Sequence, residues 1–257
     1  MPAVLKTRTL SLPHANLSLR DELQLLEPAL LPSLSLAGFS SQEPGGDFYD
    51  VVPLTGERLL LIMADAMGNG TRAFRYATSL RLLVRLVAEW TQEPGELLCQ
   101  LNRLIYEELS ERDVFITAQA ALLDPRRREF TLASAGHCPL LLAQPGMLPK
   151  PLAPEGLPLG VLSTSKYEVD TFQLQPRDCL LLYTDGVTES RNLRGEFYGQ
   201  QRLEHWLARN YERWRSANQL RDGFRAELSR FRAGLPARDD ETFLFVVEQS
   251  LQQALAA

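Results

Sequence analysis

Four acidic positions in this chain share one context. Asp47 follows two glycines and opens an apolar stretch. Asp65 ends the run Leu59-Leu60-Leu61-Ile62-Met63-Ala64. Asp185 stands between Tyr183-Thr184 and Gly186. Asp239, with Asp240 beside it, leads through Glu241 into Thr242-Phe243-Leu244-Phe245-Val246-Val247. Each lies at a strand end or at a turn next to a strand. Taken singly, each is ordinary turn chemistry, because Asp bonds nearby backbone and Asp-Gly is a common turn signal. If the strand ends meet, several negative charges share a small volume, raise one another's pKa and destabilise the fold. A divalent cation removes that conflict, and a set of hard oxygen donors suits Mg2+ or Mn2+.

The elements that must carry these acids are legible in the pattern. Residues 47–54 and 59–65 read as two strands joined at Thr55-Gly56, the second a continuous apolar run and therefore buried. Gly68-Asn69-Gly70 turns the chain into a helix expected over residues 71–90, with Leu80, Leu82, Leu83, Leu86 and Val87 as its apolar face. Arg72, Arg75, Arg81 and Arg85 are interleaved with them and read as a solvated face, with Arg72 and Arg75 near enough to Asp65 to offer charge to a phosphate. Pro94 opens a second helix to about residue 110, with Leu97, Leu98, Leu101, Leu104 and Ile105 inward. Strands are expected over 34–40 (an exposed edge), 114–123, 128–134, 140–143, 157–162, 167–174, 179–184 and 242–247. Helices are expected over 204–210 and 220–232, followed by a short helical tail. Helices and strands are segregated, which argues for an α+β sandwich of sheets under helices. Upstream, Ser18 with Asp21 and Glu22 resembles a helix start. Leu19, Leu23, Leu25 and Leu26 would form its apolar face, for packing or for a homodimer or regulatory contact.

Bulk properties exclude several classes. The 257 residues carry a net charge of −5, which does not suggest a nucleic-acid binder, and no basic run reads an anionic membrane. The three cysteines, Cys99, Cys138 and Cys179, show no CxxC spacing, so a reduced, cytoplasmic compartment is expected and a zinc site is not. Pro28 and Pro32 interrupt the Leu-rich N-terminal stretch, so neither a signal peptide nor a transmembrane helix is expected. Two sharper motifs dissolve on inspection. His137-Cys138 invites a nucleophile and base, but neighbours on an extended strand point to opposite faces. Gly68-Asn69-Gly70-Thr71 lacks the Lys of a phosphate loop. Trp90, Trp206 and Trp214 are expected in the core.

The ordered set of motifs resembles the metal-dependent protein phosphatases (protein phosphatase 2C-like, PPM), in particular the bacterial SpoIIE/RsbU branch. The match runs through Gly45-Gly46-Asp47-Phe48-Tyr49-Asp50, Ala64-Asp65-Ala66-Met67-Gly68-Asn69-Gly70, Ser134-Ala135-Gly136-His137-Cys138-Pro139 and Leu157-Pro158-Leu159-Gly160. It closes with Leu182-Tyr183-Thr184-Asp185-Gly186-Val187-Thr188-Glu189 and Asp239-Asp240-Glu241-Thr242. The resemblance implies a four-layer αββα sandwich with two central, mainly antiparallel sheets. It divides the chain into an extension over 1–30 with a short helix, a SpoIIE/RsbU-like phosphatase domain over 31–250, and a tail over 251–257. It implies two Mn2+ or Mg2+ ions: Asp65 bridging them, the Ala66 carbonyl on the second, Asp185 and Asp239 on the first, and Asp47 completing the second metal's shell through water. A water activated by the two metals would then hydrolyse phosphoserine or phosphothreonine in line, with no covalent intermediate. The substrate implied is a phosphorylated protein of a partner-switching pathway, such as a small anti-sigma-factor antagonist. A catalytically weak binding module that captures a phosphoprotein is the alternative. The sequence departs from the pattern in three places. Ala66 stands where many relatives have Gly, Cys138 where the branch often has Asn, and Gln42-Glu43-Pro44 supplies no phosphate-binding cation before Asp47.

Overall fold

The computed structural model describes residues 34–41, 45–213 and 216–249. The expected N-terminal helix, Gln42-Glu43-Pro44, Trp214 and the C-terminal tail lie outside them. Two five-stranded antiparallel sheets form the centre. One has the order β1 (Leu34–Ser40), β10 (Thr242–Glu248), β9 (Cys179–Tyr183), β6 (Leu140–Ala143), β7 (Lys150–Leu152). The other runs β2 (Asp47–Leu54), β3 (Arg58–Ala66), β4 (Ile116–Asp124), β5 (Glu129–Ala135), β8 (Val169–Gln173). Helices α1 (Gly70–Val87) and α2 (Pro94–Ser110) cover the second sheet. Helices α4 (Gly199–Asn210) and α5 (Ala217–Arg232) cover the first, and the short α3 (Asp185–Glu189) follows β9. This is the αββα sandwich.

Strand alternation assigns every side chain of β3 to one of two cores. Leu60, Ile62, Ala64 and Ala66 face α1 and α2, whereas Leu59, Leu61 and Met63 face the other sheet. Asp65 continues the inter-sheet set. On β2 the same parity gives Tyr49 and Val51, and hence Asp47, to the inter-sheet layer, while Phe48 faces the helices. Gly56 (φ 79°) and Glu57 (φ 64°) close the hairpin in the left-handed region, so that Asp47 pairs directly with Asp65.

Asp50 lies on the helix side of β2 and is fully buried. Two of the arginines expected to face solvent neutralise it: Arg85 grips both oxygens (2.7 and 2.8 Å) and Arg81 adds a 3.3 Å contact. The planar guanidinium fork suits such bidentate pairing. The apolar face of α1 also differs from the expected one. Ala73, Tyr76, Ala77, Leu80, Val84 and Val87 are buried, whereas Leu82 and Leu86 are 67% and 50% exposed. Small alanines let the helix approach the sheet, and the period runs through them rather than through the leucines. Leu104 and Trp90 are likewise exposed.

Residues 157–162 do not form the expected strand. Only Leu159 pairs, with Ile116, because Pro158 has no N–H to donate and Gly160 turns away at φ 91°. The edge strand β1 is more buried than expected, since α5 packs against it: Ser35 accepts a hydrogen bond from the Ala217 N–H at 3.1 Å. The short β7 was not anticipated, and α4 starts earlier than expected, at Gly199.

The Asp50 pair yields a prediction. Arg85→Met leaves a buried carboxylate with Arg81 alone. Losing one partner of a buried pair costs about 3–5 kcal/mol, so with Arg81 still present the expected loss is about 2–3 kcal/mol. Urea unfolding of Arg85→Met checks this; a change below about 0.5 kcal/mol would mean that the pair holds nothing.

Candidate metal centre

The acids meet at one end of the inter-sheet layer. Asp47 and Asp65 come from paired strands of one sheet. Opposite them, β9 ends at Tyr183 and is followed by Thr184, whose hydroxyl donates to the Asp47 carboxylate at 2.6 Å. Thr184 occupies the N-cap position of α3 but makes no capping bond, because its hydroxyl is directed across the layer to Asp47. Asp185 is therefore the first residue of a helix, not the turn residue expected. The turn before β10 completes the group. The Gly46 N–H donates to the Asp240 carboxylate at 2.7 Å. A Cβ on Gly186 would come within 2.1 Å of the Asp240 carbonyl, so only glycine lets α3 sit against the Asp239-Asp240 turn.

The charges bear on one another. Burial, then the charge of Asp65, raises Asp47 from the usual carboxylate range to about 9. Burial and the charges of Asp185, Asp239 and Asp240 raise Asp65 to about 6. Asp185 is raised by burial, Glu189 and Asp239. Cys138 lies behind the group; burial and the charges of Asp185, Asp65 and Asp47 push its thiol up to about 12, so it is no nucleophile. Burial lowers neighbouring His137 to about 4, which keeps the ring neutral, and its Nδ1 is bonded to the Thr117 hydroxyl at 2.8 Å. The two residues form no nucleophile–base pair.

The donor set fits a hard divalent cation. Asp47, Asp65, Asp185, Asp239 and Asp240 supply only oxygen, and Gly46 leaves room beside one more donor. A Cβ there would stand 3.2 Å from the Ala66 carbonyl oxygen, the backbone atom expected to bind metal. Among the described residues, no three carboxylate, imidazole or thiol groups stand as a preassembled cage. Asp47 and Asp65 share a side-chain hydrogen bond, which the raised pKa of Asp47 permits. The strongest charges on Asp65 are all carboxylates, and Arg72 bonds the carbonyl of Arg112 instead.

Sequence reasoning missed Thr184 and undervalued Asp240. Both stand inside the quoted motifs, but their partners are 137 and 194 residues away, and no local pattern announces such a bond.

Two antiparallel sheets between helices, with acids at one end of the inter-sheet layer, define the PP2C-type phosphatase fold. The SiaA-PP2C domain of Pseudomonas aeruginosa has the same fold, with a TM-score of 0.75 and 21% identity over 88% of this chain and 90% of that one. Within that class the chain belongs to the SpoIIE family: the family model for Stage II sporulation protein E matches residues 55–247. Similar relatives are protein IcfG of Synechocystis sp., 25% identical over 228 residues (78% of this chain), and phosphoserine phosphatase RsbU of Bacillus subtilis, 30% identical over 156 residues (60% of this chain). The chain spans 35% and 46% of the lengths of these two proteins.

The raised acids carry a pH dependence. Asp47 binds a proton more tightly folded than unfolded, so the stability of chelator-treated protein falls as pH rises from about 4 to about 9. Asp47→Asn keeps an acceptor for Thr184 and removes the charge. It should flatten that slope and raise the melting temperature at pH 8; a gain of 1 kcal/mol corresponds to about 2–4 °C at this size. A variant that melts lower across the whole range would show that the charge is not the destabilising element.

Proposed function

We propose that the chain is a Mn2+- or Mg2+-dependent phosphatase for phosphoserine and phosphothreonine in proteins. The observation that carries the reading is the meeting of Asp47, Asp65, Asp185 and Asp239 from separate elements in a member of the SpoIIE family, with burial and then neighbouring carboxylates raising Asp47, Asp65 and Asp185 above the usual carboxylate range. Asp65 would be shared between two cations, with the Ala66 carbonyl and Asp47 on one side and Asp185 and Asp239 on the other. Bound there, the cations supply Lewis acidity for a phosphoryl group and lower the pKa of water.

The chain's own residues do the rest. Thr184 holds Asp47 in one orientation, since its hydroxyl proton is committed to that carboxylate. Asp240 holds the Gly46 backbone and so the entry to Asp47. The buried inter-sheet leucines lie behind the site, while Asp185 and Asp239 are exposed. Relatives named phosphoserine phosphatase support a phosphorylated protein as substrate, and the RsbU resemblance supports partner-switching signalling with a small anti-sigma-factor antagonist. Among the described residues, no helix is long and apolar enough to cross a membrane.

The test is Mn2+-dependent hydrolysis of an aryl phosphate and of a phosphoserine protein. Asp185→Ala should lower turnover at least about 100-fold, because loss of even an outer-shell partner costs 10–100-fold. Turnover that ignores metal, or a variant as active as the parent, would sink the reading. The extension over residues 1–30 is assigned a dimer or regulatory contact. Its removal should change the sedimentation coefficient or the specific activity, and a truncated protein unchanged in both would refute that assignment.

A further inference from the structure

The Asp239-Asp240-Glu241 tripeptide touches the residues that flank Asp47 and Asp185. Asp240 accepts from Gly46, next to Asp47. Its carbonyl lies against Gly186, next to Asp185, and 3.4 Å from the Thr184 hydroxyl. Glu241 is zipped to the end of β1: its N–H donates to the Ser41 hydroxyl at 2.8 Å, and its carbonyl accepts from the Ser41 N–H at 3.1 Å. A displacement of this tripeptide would therefore move Asp239 and loosen its neighbours together.

Its outer side is held by a charged clamp. The Glu241 side chain is 3% exposed and points away from the acids, towards α5. There Arg232, in the last turn of α5, donates to both carboxylate oxygens. The same guanidinium donates from Nε to the Leu235 carbonyl at 3.2 Å. One side chain thus ties both ends of the connection from α5 to β10. That connection begins with a residue in the left-handed region, Ala233 (φ 50°), and carries the exposed Asp239 and the half-buried Asp240. Without Arg232 the buried Glu241 charge has no cation in its ion pair and must seek water, pulling the turn with it.

We propose that Arg232 is a positioning residue for the metal centre: by clamping Glu241 it fixes the Asp239-Asp240 turn against Gly46 and Gly186. It touches neither substrate nor metal. The inference rests on the metal-centre reading above, and its readout is Mn2+ affinity rather than turnover.

The experiment titrates Mn2+ into the full chain by calorimetry or by the free-ion spin-resonance signal, and records thermal unfolding beside it. Arg232→Met should weaken Mn2+ binding at least about tenfold, the scale of lost outer-shell support. At saturating Mn2+, turnover should return to within about threefold of the parent, because the effect lies in assembling the site. The double variant Arg232→Met/Glu241→Met replaces the ion pair by apolar volume and should regain thermal stability, as such replacements often do. It should not regain Mn2+ affinity, since the directional bonds are gone. Arg232→Lys keeps the charge without the fork and should fall between. Parental affinity in Arg232→Met, or affinity that recovers with stability in the double variant, would overturn the inference alone. A parent protein that takes up no Mn2+ would overturn the metal-centre reading as well. Mn2+ uptake without phosphatase turnover would overturn the proposed function while the variant series still decides the role of Arg232.

Discussion

The structure depends on keeping carboxylates together at the end of a buried layer. Asp47 and Asp65 are directly opposed in an antiparallel pair, where like charges ordinarily destabilise. Burial on one side and acids from the other sheet add to the strain. The surroundings answer with bonds that hold the acids in place without neutralising them: Thr184 to Asp47, Gly46 to Asp240, Ser41 to Glu241. Cations are held apart from the group. Arg81 and Arg85 are engaged by Asp50 across the sheet, and Arg232 by Glu241 behind the turn. In the proposed function, positive charge at the centre would come from a bound ion.

This division follows from the two-residue period of a strand. In Gly45-Gly46-Asp47-Phe48-Tyr49-Asp50 the two acids are three positions apart, so they emerge on opposite faces. One enters the inter-sheet layer and the other meets α1. A single short motif thereby supplies an acid for the candidate centre and the anchor that seats the helix following it.

Much of this was readable from the chain. The apolar run ending at Asp65, the Pro94 helix start and the segregation of helices from strands are local signals, and the sandwich follows from them. The ordered acids were readable as a set, because each stands beside its own strand or turn. What escaped reading was long-range or depended on small residues. Ala73 and Ala77 carry the buried face of α1, which a search for leucines misplaces. The partners of Asp50, Thr184 and Glu241 lie on elements that only the folded chain brings near. Leu159 looked like part of a strand because the residues around it are apolar, yet Pro158 and Gly160 allow it one bridge.

The pairing of β1 with β10 has a consequence for synthesis. Among the described strands, the first pairs with the last alone, and the Gly46–Asp240 bond closes a loop of 194 residues. Such contacts form late, after the entropy of the intervening chain has been overcome. While the protein is being made, the sheet of β2 to β5 can assemble as it emerges, with Asp47 and Asp65 already in place. The other half of the centre waits for β10 to leave the ribosome. A chain cut short before residue 239 would therefore lack the turn that unites the acids, however well its first sheet had formed.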